Sequence, residues 1–225
     1  MITTRTIHNK QSESIKFEGV KMYAVSRRNS PDIEVMFRAC VPEDVPDILR
    51  IQEKVRKLIP DSYSYIETTE EDIRESIEVD VTIGAWHDDR MVGFTMLLAL
   101  RDTERNLAHS LGYAPEYALQ CATNDGTWVD PEYHGYGIQY WFIVERDRLG
   151  VKMGAKELLT CTSPINYACQ RNFLKNGYEI IDKMPLYGGH PRLIIRKYVW
   201  NNCIEENHHS FRKGLILQKA SGIIL

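Results

Sequence analysis

Two glycines one residue apart stand at the start of a helix-like segment, in the stretch TWVDPEYHGYGIQYWF at residues 127–142. The first turn of a helix leaves backbone N–H groups without partners, and their dipoles favour an anion. Glycine lets a ligand approach that backbone because it has no Cβ. Residues 134–139 therefore suit a phosphate or pyrophosphate. The plainer alternative is a helix cap with a turn glycine.

Two common nucleotide motifs do not fit this turn. The dinucleotide fingerprint requires a third glycine three positions after the second, where the chain has Tyr140. The P-loop requires Gly-Lys-Ser/Thr after four spacer residues, and the sequence contains no such run. A phosphate group would therefore have to be bound through a different loop.

The coenzyme A loop of the GCN5-related N-acetyltransferase (GNAT) superfamily does match, and the chain resembles that superfamily from about residue 33 to residue 199. The loop pattern there is Arg or Gln, two residues, Gly, one residue, then Gly or Ala, usually after Val-x-Pro. Val129 and Pro131 supply the leading step, and Gly137 is the required glycine. His134 occupies the Arg/Gln position and Gln139 the last small position, so two of the three loop positions depart from the pattern.

A second stretch, SPINYACQRNFLKNGY, also resembles the superfamily. Its members often show Asn, a small residue three positions later, an aromatic residue at seven, and Gly-Phe or Gly-Tyr at eleven and twelve. Asn166, Cys169, Phe173, Gly177 and Tyr178 have that spacing. Two motifs in the right order are more specific than either alone.

The resemblance implies acetyl-CoA as an acyl-donor cosubstrate. The strand that ends at Trp128 and Val129 would offer its backbone to the pantetheine arm as an added strand, and the amides of residues 135–139 would hold the pyrophosphate. Asn166 would contact the pantetheine, and Cys169 faces the same cleft, where packing is favoured over catalysis. The implied coenzyme-binding residues are Trp128, Val129, His134, Gly135, Tyr136, Gly137, Ile138, Gln139, Asn166, Cys169 and Phe173.

The resemblance also implies direct attack of an amine on the thioester. An amine with a pKa near 10 has to lose a proton first. Many relatives use a tyrosine as acid where this chain has Phe173, which has no proton to donate. Tyr178 or Tyr167 could substitute, although each also suits packing. Asp125 is the first candidate for the base, and its alternative role is that of a turn residue. Glu116 is the second candidate for the base.

Hydrophobic periodicity predicts the elements that must position these residues, and their order indicates an α/β fold with a mixed sheet. By resemblance, the sheet is GNAT-type, mostly antiparallel and flanked by helices. The predicted strands are 33–40, 81–86, 91–100, 117–129, 157–162, 178–184 and 192–199. Helices are predicted from Pro42, after a capping box at Thr69, and over 138–153 and 166–176, with a loop or short helix over 101–116.

The length of 225 residues, with 43% hydrophobic residues, allows one sizeable core. We expect a single domain over 34–199, an N-terminal extension over 1–33 with one strand or hairpin, and a C-terminal tail over 200–225. The net charge of -3 argues against nucleic acid as a partner. Five cysteines without a Cys-x-x-Cys pair predict neither a disulfide framework nor a metal site.

The sequence has no apolar run of the length that a membrane span needs, so we expect no membrane partner and a cytoplasmic protein. The function predicted by resemblance is an acetyl-CoA-dependent N-acetyltransferase acting on a primary amine of a small molecule or peptide. A non-catalytic acyl-CoA-binding sensor of the same fold is the alternative. The identity of the amine is not encoded in any pattern found here, and a homodimer is left open.

Overall fold

The computed structural model describes residues 31–59 and 66–199, together with the backbone of three short strands before residue 25. In this part of the chain the strands are β1 (Arg5–His8), β2 (Ser14–Phe17), β3 (Val20–Ala24), β4 (Ile33–Ala39), β5 (Val81–His87), β6 (Arg90–Leu98), β7 (Cys121–Val129), β8 (Glu157–Thr162), β9 (Glu179–Leu186) and β10 (His190–Tyr198). The helices are α1 (Val45–Arg56), α2 (Glu70–Val79), α3 (Leu107–Ser110), α4 (Pro115–Ala118), α5 (Ile138–Lys152) and α6 (Tyr167–Lys175).

Eight of the described strands form one sheet in the order β3-β4-β5-β6-β7-β8-β10-β9, and β1 pairs with β2 in a separate hairpin. The pair β7 and β8 is parallel, and the other pairs in the sheet are antiparallel. A parallel pair needs a crossover, which α5 provides between the two strands. The predicted mixed, mostly antiparallel sheet with flanking helices is confirmed.

The predicted elements are present with small shifts at their ends. One shift is larger, because the strand predicted from residue 117 begins only at Cys121, and Pro115–Ala118 forms α4 instead. Pro115 is at the first helical position, where its fixed φ favours a helix start. The segment 101–116 contains α3 and the start of α4, in agreement with the short-helix alternative.

The N-terminal extension contributes more strand than predicted, since β3 pairs with β4 at the edge of the sheet. The boundary at residue 33 therefore stays a prediction, and the tail at 200–225 lies outside the described residues.

The sheet is buried on both faces. Val92 of β6 lies in the core cluster that contains Phe142 of α5, whereas Phe94 of the same strand lies in the cluster that contains Ile48 of α1 and Ile77 of α2. Regular alternation would put Val92 and Phe94 on the same face. Val92 is the extra residue of a bulge, since Ala85 pairs with Gly93 and Trp86 with Met91, and the bulge switches the faces. Helices α1 and α2 therefore cover one face, and α5 covers the other.

Candidate functional site

Strands β7 and β8 separate halfway along β7. Their ladder pairs residues 121–123 with 157–159 and goes no further among the described residues. Beyond it, β8 continues to pair with β10, while β7 pairs only with β6. The Asn124 carbonyl still accepts a hydrogen bond from the Thr160 hydroxyl of β8 at 2.9 Å. Beyond it, the backbone of β7 at residues 125–129 faces a gap rather than a neighbouring strand. We call this gap, between residues 125–129 of β7 and 160–162 of β8, the β7–β8 wedge.

A β-bulge lies at the inner end of the wedge. Thr95 is opposite Thr127 and Leu97 is opposite Asn124, so Asp125 and Gly126 together face the single residue Met96. A bulge of this kind leaves the ladder locally disrupted and bends the strand. It is consistent with the divergence of β7 from β8 immediately after residue 123.

The outer end of the wedge is the two-glycine turn before α5. Gly135 has a φ of 95° and Gly137 a φ of 78°, in the left-handed region that favours glycine. Gly137 is the N-cap of α5, and an added Cβ there would meet no atom within 4 Å. The first turn of a 15-residue helix thus begins at an open position, which is the geometry that an anion requires.

The two departures from the loop pattern have structural explanations. The exposed His134 donates a hydrogen bond from Nε2 to the Val129 carbonyl at 3.1 Å, and so fixes the turn to the end of β7. The side-chain oxygen Oε1 of Gln139 accepts a 2.6 Å hydrogen bond from Nδ2 of Asn172 on α6. A large side chain at position 139 is therefore held against α6. The neighbouring Ile138 is buried in the core, and Tyr136 is half-buried beside it.

Asp130 connects this turn to the rest of the fold. Its buried carboxylate accepts hydrogen bonds from Lys54 at 3.0 Å and Arg90 at 2.9 Å. It also accepts one from the Glu132 amide at 3.2 Å, which caps the 3-10 turn at Pro131–Tyr133. Burial acts to raise the pKa of Asp130, but these hydrogen bonds and the Lys54 and Arg90 charges lower it below its ordinary value. Asp130 thus holds the start of the turn against Lys54 of α1 and Arg90 of β6.

Trp128 and Val129 are at the wedge through their backbone. The Trp128 ring covers Gly126, where a Cβ would approach it to 1.9 Å, and it stacks on Phe94 with centroids 4.7 Å apart. The ring thus packs on the face covered by α1 and α2. The geometry leaves the main chain, rather than the indole, available along the wedge.

Asn166, Cys169 and Phe173 lie on α6 or at its start. Asn166 is the N-cap, and its side-chain oxygen accepts a hydrogen bond from the Cys169 amide at 3.1 Å. The Asn-to-small spacing of three is thus the spacing of a helix cap. Desolvation raises the pKa of the Cys169 thiol, which favours the packing role over a nucleophile. Phe173 is buried, with its ring centroid 4.9 Å from that of Tyr178.

The two catalytic candidates are in different surroundings. Tyr178 is buried, and its hydroxyl contacts Asp147 at 2.5 Å and Asn124 at 2.6 Å. Burial raises the pKa of Tyr178 well above its ordinary value. This hydroxyl belongs to a core network, a position that favours packing over proton donation. Asp125 is partly exposed at the bulge, where Arg105 donates to its carboxylate at 2.5 Å.

Two residues of α5 near the wedge were not among the sequence candidates. Arg146 and Asp147 are adjacent, charged and buried. Arg146 donates from Nη1 to the carbonyl oxygens of Asp125 at 3.2 Å and Met96 at 3.4 Å. Asp147 accepts from Lys197 of β10 at 2.7 Å as well as from Tyr178. Adjacent charges in a helix normally predict a solvated face, so only an unusual run of charge in an apolar helix could have drawn attention to them.

Among residues 31–59 and 66–199, no three His, Cys, Asp or Glu side chains are arranged to hold a metal ion. No helix in the same residues has the length and apolar character needed to cross a membrane.

The chain is similar to known proteins in its structure and not at the level of sequence. No family model and no curated protein sequence matches the chain. Among solved structures, an N-acetyltransferase from Staphylococcus aureus Mu50 is 14% identical with a TM-score of 0.57, over 73% of this chain and 98% of that one. The yncA protein from Salmonella typhimurium, solved with its cofactor acetyl-CoA, is 12% identical with a TM-score of 0.58, over 75% and 96%.

A third similar structure is the PaiA N-acetyltransferase from Thermoplasma acidophilum in complex with coenzyme A, which is 17% identical with a TM-score of 0.54. It is matched over 99% of its length by 73% of this chain. At such low identity the likeness concerns the fold. The part of the chain that the structure describes has the fold of the GCN5-related N-acetyltransferases.

Proposed function

We propose that this protein is an acetyl-CoA-dependent N-acetyltransferase that transfers an acetyl group to a primary amine of a small molecule or peptide. One observation carries the proposal: the β7–β8 wedge opens directly onto the glycine turn at the start of α5. An unpaired strand edge followed by an open helix N-terminus suits an extended amide-bearing chain with a pyrophosphate at its end. Similar structures were solved with acetyl-CoA or coenzyme A.

The wedge and the turn divide the binding between them. Backbone groups of β7 up to Val129 would pair with the pantetheine amides, as an added strand does. The amides of residues 135–139 would bind the pyrophosphate, with Gly137 providing the close approach. His134 is committed to the Val129 carbonyl, so we assign it to shaping the turn as well as lining it.

Bound acetyl-CoA would supply an acyl carbon activated as a thioester. The neutral amine nitrogen forms a bond to that carbon, the carbon–sulfur bond breaks with its electron pair left on sulfur, and one proton passes from the amine to solvent or to a base. We assign the stabilisation of the oxyanion to the backbone amides at the bulge, at Asp125 and Gly126. Asp125 is the proposed base, directly or through water.

The second candidate function is a sensor that binds acyl-CoA without turnover. Two observations favour it. Phe173 occupies the position of the usual acid and is buried, and the Asp125 carboxylate is already engaged in an ion pair with Arg105. We rank it second because direct attack requires no acid other than solvent.

Thiol release separates the two functions. The full chain is incubated with acetyl-CoA and a panel of small amines and peptides with free amino termini, and free coenzyme A is titrated. We expect release above the acceptor-free rate for at least one amine. Acetyl-CoA binding by calorimetry without release for any amine would support the sensor, and absence of binding would reject both functions. A cytoplasmic location and a homodimer stay predictions.

A further inference from the structure

Arg146 is a buried charge with an incomplete set of partners. The residue is 0% exposed. Its Nη1 group makes the two backbone hydrogen bonds already described, but Nε and Nη2 have no hydrogen-bond partner among the described residues. A guanidinium has five N–H donors and needs acceptors for them when it is removed from water. Unmatched donors on a fully buried charge lower the stability of the fold. A reason other than stability is therefore needed for Arg146.

The two carbonyls that Arg146 contacts belong to the bulge. Asp125 is one of the two bulged residues of β7, and Met96 is the residue of β6 that faces them. Nη1 therefore connects both strands at the one place where their ladder is irregular. Loss of this bridge would leave the bulge free to relax towards regular pairing, and the amides at Asp125 and Gly126 would then change direction.

The surroundings of Arg146 indicate which part of the site its positive charge acts on. Its guanidinium carbon lies 5.8 Å from the ring centroid of Phe173. Position 173 is where the resemblance implies a proton-donating tyrosine, and this chain has a phenylalanine there. A fixed positive charge can stabilise developing negative charge without transferring a proton, and it does so most strongly where water is excluded.

Stability alone would favour a different residue at this position. Replacing a buried ion pair as a whole by apolar side chains of similar size is often neutral or stabilising, and the hydrogen bonds of Arg146 go to two backbone carbonyls and not to a carboxylate. Functional sites are where proteins retain such destabilising features. An exchange of Arg146 for Met should therefore separate stability from function.

We propose, on the basis of the proposed function, that Arg146 is the positioning residue of the acyl-transfer site. It holds the bulge through the Asp125 and Met96 carbonyls, and it places a permanent positive charge beneath the thioester. The charge stabilises the negative charge that develops on the thioester oxygen and on the departing sulfur. It takes the place of the missing acid at Phe173 without donating a proton.

The first test is spectroscopic and needs no acceptor. Acetyl-CoA labelled with ¹³C at the thioester carbonyl is bound to the full chain, and its carbonyl stretch is measured by difference infrared spectroscopy. We expect a shift to lower frequency in the wild type, a smaller shift in Arg146→Met, and an intermediate one in Arg146→Lys. An identical shift in all three proteins would overturn the proposal, as would absence of any shift in the wild type.

The second test is kinetic, with Arg148→Met as the matched control that removes a cation from the same helix. We expect Arg146→Met to lower kcat by roughly 10- to 100-fold, with KM for acetyl-CoA within about threefold because uniform binding is unaffected. Arg146→Lys should recover part of the loss. Arg146→Met removes hydrogen bonds to two backbone carbonyls, so Tm is measured together with kcat and should stay well above the assay temperature. A fall in Tm that accounts for the lost activity, or equal kcat in Arg146→Met and the control, would contradict the role.

The two tests distinguish this inference from the function on which it rests. If the wild type binds acetyl-CoA but releases no thiol with any amine, the enzyme proposal fails, and the carbonyl frequency still decides the role of Arg146. If the wild type does not bind acetyl-CoA, both proposals fail. If thiol is released but Arg146→Met behaves as the wild type in both measurements, only the Arg146 proposal fails.

Discussion

The Tyr178 hydroxyl donates a 2.5 Å hydrogen bond to Asp147 Oδ1, and both side chains are buried. Asn124 of β7 donates to the same hydroxyl at 2.6 Å, and Lys197 donates to the other oxygen of Asp147 at 2.7 Å. One phenol thus connects β7, α5 and, through Asp147, β10. The arrangement explains why the residue after Gly177 is a tyrosine, and it assigns that tyrosine to the core.

Removal of this hydroxyl should affect stability more than chemistry. We expect Tyr178→Phe to lower the free energy of unfolding by about 1–3 kcal/mol, because two buried polar partners lose a hydrogen bond. Urea denaturation gives the change, and Tyr167→Phe is the control because Tyr167 is 73% exposed on α6. A loss of kcat above tenfold at unchanged stability would instead make Tyr178 the proton donor.

The glycine turn can be tested with two glycines of the same conformation. Gly137 and Gly154 lie at opposite ends of α5, with φ values of 78° and 82°, and neither has an atom within 4 Å of an added Cβ. Backbone strain is therefore similar in Gly137→Glu and Gly154→Glu. We expect only Gly137→Glu to weaken acetyl-CoA binding, by at least tenfold in calorimetry, because it places a carboxylate where the pyrophosphate would lie. Equal affinities in the two variants would refute the assignment of the turn.

The base assignment predicts a loss of rate when the Asp125 carboxylate is replaced by an amide. Asp125→Asn should lower kcat by roughly 100-fold if the carboxylate accepts the amine proton, since general-base catalysis contributes about 10²–10⁴-fold. Asp89→Asn, in the exposed turn between β5 and β6, is the control. Steady-state rates across pH 6 to 9 provide the measurement. An unchanged kcat would leave Asp125 as the ion-pair partner of Arg105 and nothing more.

The ionisation of Asp130 should make the stability of the protein depend on pH in the acid range. Its folded-state pKa lies below the ordinary value near 3.9. A lowered pKa stabilises the fold above the unfolded-state value, and that contribution is lost as the pH falls through the folded-state value. Asp130→Asn should thus cost about 1.5–3 kcal/mol at pH 7, and its difference from the wild type should shrink below about pH 4.

Urea denaturation at pH 7, 5 and 3 measures the Asp130 effect. Glu132→Gln is the matched control, because Glu132 contacts the same Lys54 and Arg90 but is exposed on the surface. A wild-type difference for Asp130→Asn that stays constant from pH 7 to pH 3 would contradict the lowered pKa.

Local features of the site were predictable from the sequence because they depend on near neighbours along the chain. A glycine before a helix-like run predicted the helix start at Gly137, where the structure has the left-handed N-cap of α5. Thr69 followed by Asp72 predicted the capping box of α2, which the structure contains. Two motifs at family spacing predicted the fold itself, since each motif fixes one helix start relative to one strand.

The direction and partners of individual side chains were decided by the tertiary structure. Tyr178 and Asn124 are 54 residues apart in the chain, and Gln139 and Asn172 are 33 apart, so no local pattern could pair them. Arg146 looks like a surface residue in the sequence because charged residues are rarely buried unpaired. Only the packing of α5 beneath the bulge of β7 buries it. The sequence by itself therefore determined where the chain turns and caps, while long-range packing decided which of its polar groups face the wedge and which belong to the core.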